Sequence, residues 1–225
     1  MESLRNSSVS WEADIYSKGK QLNHWPHSDL VSTVMRLSSG KDRSKLKILE
    51  VGCGAGNNIW FLAKEGFRAF GSDFSESAIE YAKNRLAKES LAAELSVSDL
   101  VKLDFPSEHF DMIIDRGALT QNSYDSIAKA VSEIHRCLKP DGQFIAFTLY
   151  GDLHPGKKFG KEVSSKCFDH FTDGYFKTVG LTSFFTAQDL RQLTSSFNEV
   201  TITKMQSRDE HDQILSEAYQ LIAIK

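Results

Sequence analysis

The sequence predicts an α/β fold: a doubly wound, seven-stranded, mostly parallel sheet with helices on both faces and an antiparallel last strand. Three observations lead there. Strand-like and helix-like patterns alternate from Lys45 onward, which implies parallel strands joined by right-handed helical crossovers. An apolar strand, Lys47 to Val51, runs into glycines at alternate positions, Gly52, Gly54 and Gly56, and then into a helix. Near the C-terminus, two strand-like runs flank a polar turn, the pattern of an antiparallel hairpin.

The elements follow in order. After the strand at Lys47 to Val51, Ile59, Leu62 and Ala63 line one helix face until Gly66, a residue suited to ending a helix in the left-handed conformation. Phe67 to Ser72 reads as the second strand. The next helix begins near Ser75 or Ser77, with Ser77 and Glu80 at capping-box spacing and Ile79, Ala82 and Leu86 facing inward. Ala93 to Val97 and Phe110 to Asp115 are the third and fourth strands. Ile127, Ala130, Val131, Ile134 and Leu138 form the cleanest helical stripe of the chain, which stops at Lys139-Pro140-Asp141-Gly142. Gln143 to Leu149 is the fifth strand. From Gly151 to Gly180 no period is sustained, so this stretch reads as an inserted cap or an irregular loop. Thr186 to Phe197 resumes as helix, and Val200 to Met205 with Ala218 to Ile224 make the hairpin.

A chain of 225 residues has room for one such domain with a full core and not for a second large one. Its formal charge of −3 argues against a chain whose main work is holding nucleic acid through phosphate contacts. Cys53, Cys137 and Cys167 show no paired metal-ligand spacing and read as reduced thiols, so no metal is expected. The first residues lack an apolar leader, and the longest apolar run, near Phe144 to Tyr150, is too short to span a bilayer. A cytoplasmic protein with no membrane partner is expected, as monomer or homodimer.

The glycine turn carries the functional signal. Without Cβ atoms, and with φ free to be positive, its backbone N–H groups can approach a ligand closely, which points to something flat, polar and nucleoside-like. The spacing is not that of the dinucleotide fingerprint Gly-x-Gly-x-x-Gly/Ala, whose third position falls here on Asn57. The run Glu50-Val51-Gly52-Cys53-Gly54-Ala55-Gly56, with an acid ending the next strand at Asp73, resembles motif I and its partner in the class I, Rossmann-like S-adenosylmethionine-dependent methyltransferases. The resemblance is firm from Ser44 to Leu149 and looser to Lys225. It implies S-adenosylmethionine as cofactor, S-adenosylhomocysteine as product, and a last strand inserted antiparallel beside the fifth.

Site residues follow from the resemblance and from the chemistry of that cofactor. Asp73 is placed to accept from the ribose hydroxyls, or else is an acid at a helix N-terminus. Phe74 packs on the adenine or is an ordinary aromatic. The family's adenine contacts fall on Asp99 and Leu100, with a turn-forming Asp as the other reading and Asp104 as fallback. Glu50 ends a buried strand, where a carboxylate needs a partner: the methionyl ammonium group or a nearby lysine. Asn58, like Asn57, bonds the cofactor carboxylate or caps its helix. Asp115 contacts the ammonium group through its carbonyl or acts as a base, and Arg116 holds an anionic substrate or pairs with Asp115. The family builds its acceptor pocket from an N-terminal lid, here about residues 1–40, and a cap after the fifth strand, here about 151–180. That habit makes Tyr16 a cofactor contact and His154 and His170 candidate general bases, with Trp11, Asn23, Trp25, Lys157, Lys158 and Tyr175 nearby.

The expected activity is methyl transfer to a hydroxyl or amine of a small molecule, a sugar-type metabolite for example, and not to nucleic acid. The proline-rich Asn/Asp-Pro-Pro-Tyr/Phe motif of adenine-N6, cytosine-N4 and glutamine methyltransferases is missing after the fourth strand, which speaks against base or amide methylation. The alternatives are a methyltransferase acting on RNA or protein, a nicotinamide-dependent dehydrogenase, and a cofactor-binding regulator without activity.

Overall fold

The computed structural model describes residues 11–225. The first ten residues of the expected lid lie outside the described residues. A short π-helical turn, Trp11–Tyr16, precedes α1 (Ser28–Leu37). The alternating part then runs β1 (Lys47–Val51), α2 (Asn57–Lys64), β2 (Arg68–Asp73), α3 (Glu76–Lys88), β3 (Glu94–Val97), β4 (Phe110–Arg116), α4 (Tyr124–Cys137) and β5 (Leu138–Tyr150). Beyond it lie β6 (Lys161–Ser164), β7 (Cys167–Asp169), α5 (Phe176–Val179), β8 (Thr182–Ser183), α6 (Ala187–Leu193), β9 (Glu199–Arg208) and β10 (Ile214–Ile224).

The main sheet has seven strands in the order β3-β2-β1-β4-β5-β10-β9. Strands β1 to β5 are mutually parallel, and β10 runs antiparallel between β5 and β9. Strand side chains alternate between faces, and the two cores follow that period. Ile48, Met112, Ile114 and Ile145 pack with Leu30, Ile59, Leu62 and Ile79 on the α1–α3 face. Leu49, Ile113 and Phe144 pack with Ile127, Ile134 and Leu190 on the α4–α6 face. Strand order reverses direction at β1, so the C-terminal ends of β1, β2 and β4 open a crevice at the switch point, where doubly wound sheets take their ligands.

Several boundaries differ from expectation for identifiable reasons. Helix α3 is capped by Ser75, whose hydroxyl accepts the Ala78 N–H, and not by Ser77 with Glu80. The Ser77 hydroxyl donates instead to Glu12 of the N-terminal turn. The break expected at Lys139 to Gly142 is an excursion within β5: Phe110 pairs with Leu138 and Met112 with Gln143, so four residues stand opposite one. The aperiodic stretch after β5, expected as an inserted cap or an irregular loop, has ordered structure, with short helical turns at Pro155–Phe159 and Phe176–Val179. It forms a small antiparallel sheet, β6-β7-β8, over a third core of Phe171, Phe176, Val179 and Phe184. No helix among the described residues is long and apolar enough to cross a membrane.

Candidate active site

Gly52, Gly54 and Gly56 have φ of +64°, +50° and +73°, the left-handed region that glycine enters without strain. Packing also demands glycine here. A Cβ on Gly52 would stand 2.1 Å from Ala118 Cβ, and one on Gly54 would stand 2.4 Å from the Tyr16 hydroxyl oxygen. The turn is tied to the neighbouring strand by Asp73, whose Oδ2 accepts the Gly54 N–H at 2.8 Å and whose Oδ1 accepts the Ser75 N–H at 2.9 Å. Burial pushes the Asp73 pKa up, and these N–H bonds oppose the shift.

Glu50 is 2% exposed at the end of β1. Its Oε1 accepts from the Asn58 amide at 2.6 Å, whereas Oε2 is buried with no hydrogen-bond partner. Burial pushes this carboxyl up to about 8. Among the described residues no lysine pairs with it. Asn57 and Asn58 tie down the N-terminal segment: Asn57 donates to the Trp25 carbonyl at 2.9 Å, and Asn58 Oδ1 accepts the His27 N–H at 3.0 Å. Glu12 reaches across to the start of α3, accepting from the hydroxyls of Ser75 and Ser77. Trp11 packs on the cap's aromatic core. Tyr16 thus stands over the glycine turn, its hydroxyl pushed up by burial and then by Asp73.

The resulting pocket has two connected chambers. Asp73, Phe74, Ser75, Leu100, Gln121 and Asn122 wall the first. Glu50, Gly54, Asn58, His27, Thr148 and Tyr150 wall the second, and Tyr16, Gly52, Arg116 and Gly117 border both. Of the residues singled out from the sequence, Glu50, Gly52, Gly54, Asn58, Asp73, Phe74, Leu100 and Tyr16 meet here. Gly56 stands behind them, where its Cβ would strike Ala82 at 2.7 Å.

Four expected residues do not reach the pocket with their functional groups. Asp99 is exposed, its Oδ1 accepting the Val101 N–H of its own turn at 3.0 Å. Asp115 is fully buried and faces its own loop: Oδ1 accepts the N–H groups of Ala118 and Leu119 at 2.9 and 3.0 Å. Burial pushes it up to about 6, and the N–H bonds of its own loop oppose the shift. His154 caps the turn at Pro155–Phe159 by accepting the Gly156 N–H at 3.0 Å, with its ring among Tyr150, Phe176 and Phe184. His170 is exposed in the cap at φ +55°. Conversely, His27, Thr148, Tyr150, Gln121 and Asn122 line the pocket without a motif to announce them.

Set against known proteins, residues 48–142 match a family model described as a methyltransferase domain. The chain is 35% identical over 121 residues to the tRNA N(3)-methylcytidine methyltransferase trm140 of Schizosaccharomyces pombe, covering 50% of this chain and 39% of that protein. It is 28% identical over 187 residues to the human tRNA N(3)-cytidine methyltransferase METTL6, covering 78% of this chain and 63% of that one. Neither relative is spanned over two thirds of its length. In fold it resembles magnesium protoporphyrin IX methyltransferase from Synechocystis PCC 6803 with bound S-adenosylhomocysteine, with a TM-score of 0.70, 15% identity and 97% of each chain covered.

A doubly wound sheet with a glycine turn and a strand-end acid at its switch point defines a nucleoside-cofactor domain of Rossmann-like type. Residues 48–142 match a methyltransferase domain, and the fold around them is that of the class I, S-adenosylmethionine-dependent methyltransferase family. S-adenosylmethionine is the cofactor of that family, and the residues present fit it: the unpartnered Glu50 Oε2 suits an ammonium group, and Asp73 keeps acceptor capacity for hydroxyls. The two tRNA-modifying relatives overturn the expectation of a small-molecule acceptor in preference to nucleic acid, and favour the RNA alternative. Net charge describes the whole chain and does not describe the surface at its pocket.

Proposed function

We propose that this chain is a methyltransferase acting on RNA, with N3 of a cytidine in tRNA as acceptor. Its likeness to two tRNA N3-cytidine methyltransferases carries the reading. The chemistry of the pocket agrees with it. Bound S-adenosylmethionine supplies a methyl carbon on a positively charged sulfur: the acceptor's lone pair forms the new bond, the C–S electron pair returns to sulfur, and the charge passes to the acceptor. N3 of cytosine has an in-plane lone pair and no hydrogen, so nothing need be deprotonated. A pocket from which Asp115, His154 and His170 are all turned away suits such an acceptor. The absence of an Asn/Asp-Pro-Pro-Tyr/Phe motif bears on exocyclic amines, which must shed a proton, and leaves a ring nitrogen open.

In this reading Glu50 Oε2 receives the ammonium group, Asp73 the ribose hydroxyls, and Phe74 and Leu100 flank the adenine. Alignment and exclusion of water do the rest, a contribution of roughly 7 to 11 kcal/mol in favourable cases. The chain acts as one domain, with the N-terminal lid to about residue 40 and the cap at 151–180 as covers. N3 lies on the Watson–Crick edge, so the cytidine has to be unpaired or flipped out to enter. The test is methylation of tRNA with isotopically labelled S-adenosylmethionine, followed by nucleoside mass spectrometry. Labelled 3-methylcytidine is expected. S-adenosylhomocysteine binding without label in any RNA nucleoside would exclude the reading.

A further inference from the structure

The geometry points to Arg116 as the residue that reads the acceptor's carbonyl oxygen, O2 of cytosine, and so selects cytidine N3 over adenosine N1. The inference rests on the RNA reading above. Arg116 ends β4 and borders both chambers of the pocket, next to Gly52 of the glycine turn. Its guanidinium has five N–H donors. Nη1 donates to the Thr148 hydroxyl, while Nε is buried without a hydrogen-bond acceptor, 3.7 Å from Asp29 Oδ1 of α1.

The surroundings hold the guanidinium in place. Thr148 has φ +57°, a left-handed conformation that a β-branched residue rarely adopts. It lies in a bulge of β5, where Leu149 pairs with Tyr219 but Ala146 pairs with Leu221. The bulge turns the Thr148 hydroxyl out of the strand alternation and onto Arg116. Asp29, 3.7 Å from Nε, offsets the guanidinium charge beside a ring that becomes cationic on methylation.

The chemistry of the two acceptors then differs at one atom. Cytosine N3 and adenine N1 are both ring nitrogens with free lone pairs and an amino group on one side. On the other side cytosine has O2, and adenine has C2–H. A buried donor that meets O2 is left unsatisfied against C2–H, and sites of that kind discriminate strongly. Asp29 and Thr148 are positioning residues for this contact.

The experiment uses an RNA hairpin with one cytidine and one adenosine unpaired in its loop, and a second hairpin carrying 2-thiocytidine, whose sulfur is a weak acceptor. Wild type should form 3-methylcytidine in large excess over 1-methyladenosine and should lose about 10- to 100-fold in kcat/KM on 2-thiocytidine. Arg116→Met should lose a comparable factor on cytidine and be insensitive to the sulfur replacement. Arg116→Lys keeps the charge and controls for folding; it should recover only part of the preference, because the planar fork is gone. Asp29→Asn should raise KM for the hairpin more than it lowers kcat. Full sensitivity to 2-thiocytidine in either Arg116 variant would overturn the assignment while leaving the RNA reading intact. Wild type that methylates neither nucleoside would overturn both.

Discussion

Glu50 shows how far a single residue can be read from local sequence and where that reading stops. Its place at the end of an apolar strand, next to Gly52, marked it as a buried acid needing a partner, and the structure supplies an amide from Asn58 for one oxygen only. Asp73 and the glycines were equally legible, because the motif that holds them is contiguous or recurs at the next strand end. Thr148, His27 and Asp29 were not. Nothing in an apolar strand announces a threonine at φ +57°, and the other two come to the pocket through α1, far away in sequence. The buried acid makes a pH prediction. Its pKa is raised from 4.5 to about 8, so between those values the folded chain holds a proton that the unfolded chain has released. Stability of the cofactor-free protein should therefore fall as pH rises through that window and level off above it, by a few kcal/mol at most. Asp115, raised to about 6, acts in the same sense over a narrower range. Denaturation midpoints measured above pH 6, where Asp115 no longer contributes, should slope downward up to about pH 8 in wild type and be nearly flat in Glu50→Gln. An equal slope in the variant would remove Glu50 as the source.

At the scale of elements, the strands and helices that bury one regular face were legible and those that do not were missed. Helix α4 sets Ile127, Ala130, Val131 and Ile134 on one stripe, and β4 is an unbroken buried run. The cap is held by Phe171, Phe176 and Phe184, which follow neither a helical nor a strand period, so its two- to four-residue strands left no trace in the pattern. The N-terminal turn is likewise fixed by polar contacts instead of an apolar stripe, chiefly Glu12 on the hydroxyls of Ser75 and Ser77. Those hydroxyls, with the Ser77 N–H, hold the Glu12 carboxyl below its ordinary value. This contact ties the turn that carries Tyr16 to the start of α3. Glu12→Ala should therefore raise hydrogen exchange in residues 11–27 and weaken S-adenosylhomocysteine binding severalfold, with little effect on the melting of the main sheet. Calorimetry and exchange mass spectrometry read the two effects separately. Unchanged exchange would mean that Asn57, Asn58 and Arg85, which bond the backbone between Asn23 and His27, suffice to hold the segment.

For the whole molecule the informative quantity is where its charge lies. A net charge of −3 gives no general attraction to RNA, so affinity for an RNA acceptor has to come from a local set of cations. Lys157 and Lys166 of the cap are paired with Asp152 and Asp189, but Lys158, Lys161 and Lys177 are exposed on the same cap. Three phosphate contacts from such lysines release three counterions, which gives a log–log salt slope of about −2 to −3 and a loss of roughly 20- to 40-fold between 50 and 200 mM salt. The cofactor pocket works by buried, short-range contacts that salt screens little. The KM for tRNA should therefore climb steeply over that range while the affinity for S-adenosylhomocysteine barely moves. Replacing Lys158, Lys161 and Lys177 together with alanine should flatten the salt slope and leave cofactor affinity in place. A steep slope that survives the triple replacement would move the RNA path to another face. A flat slope in wild type would mean that phosphate contacts contribute little, and that the acceptor is gripped through its base alone.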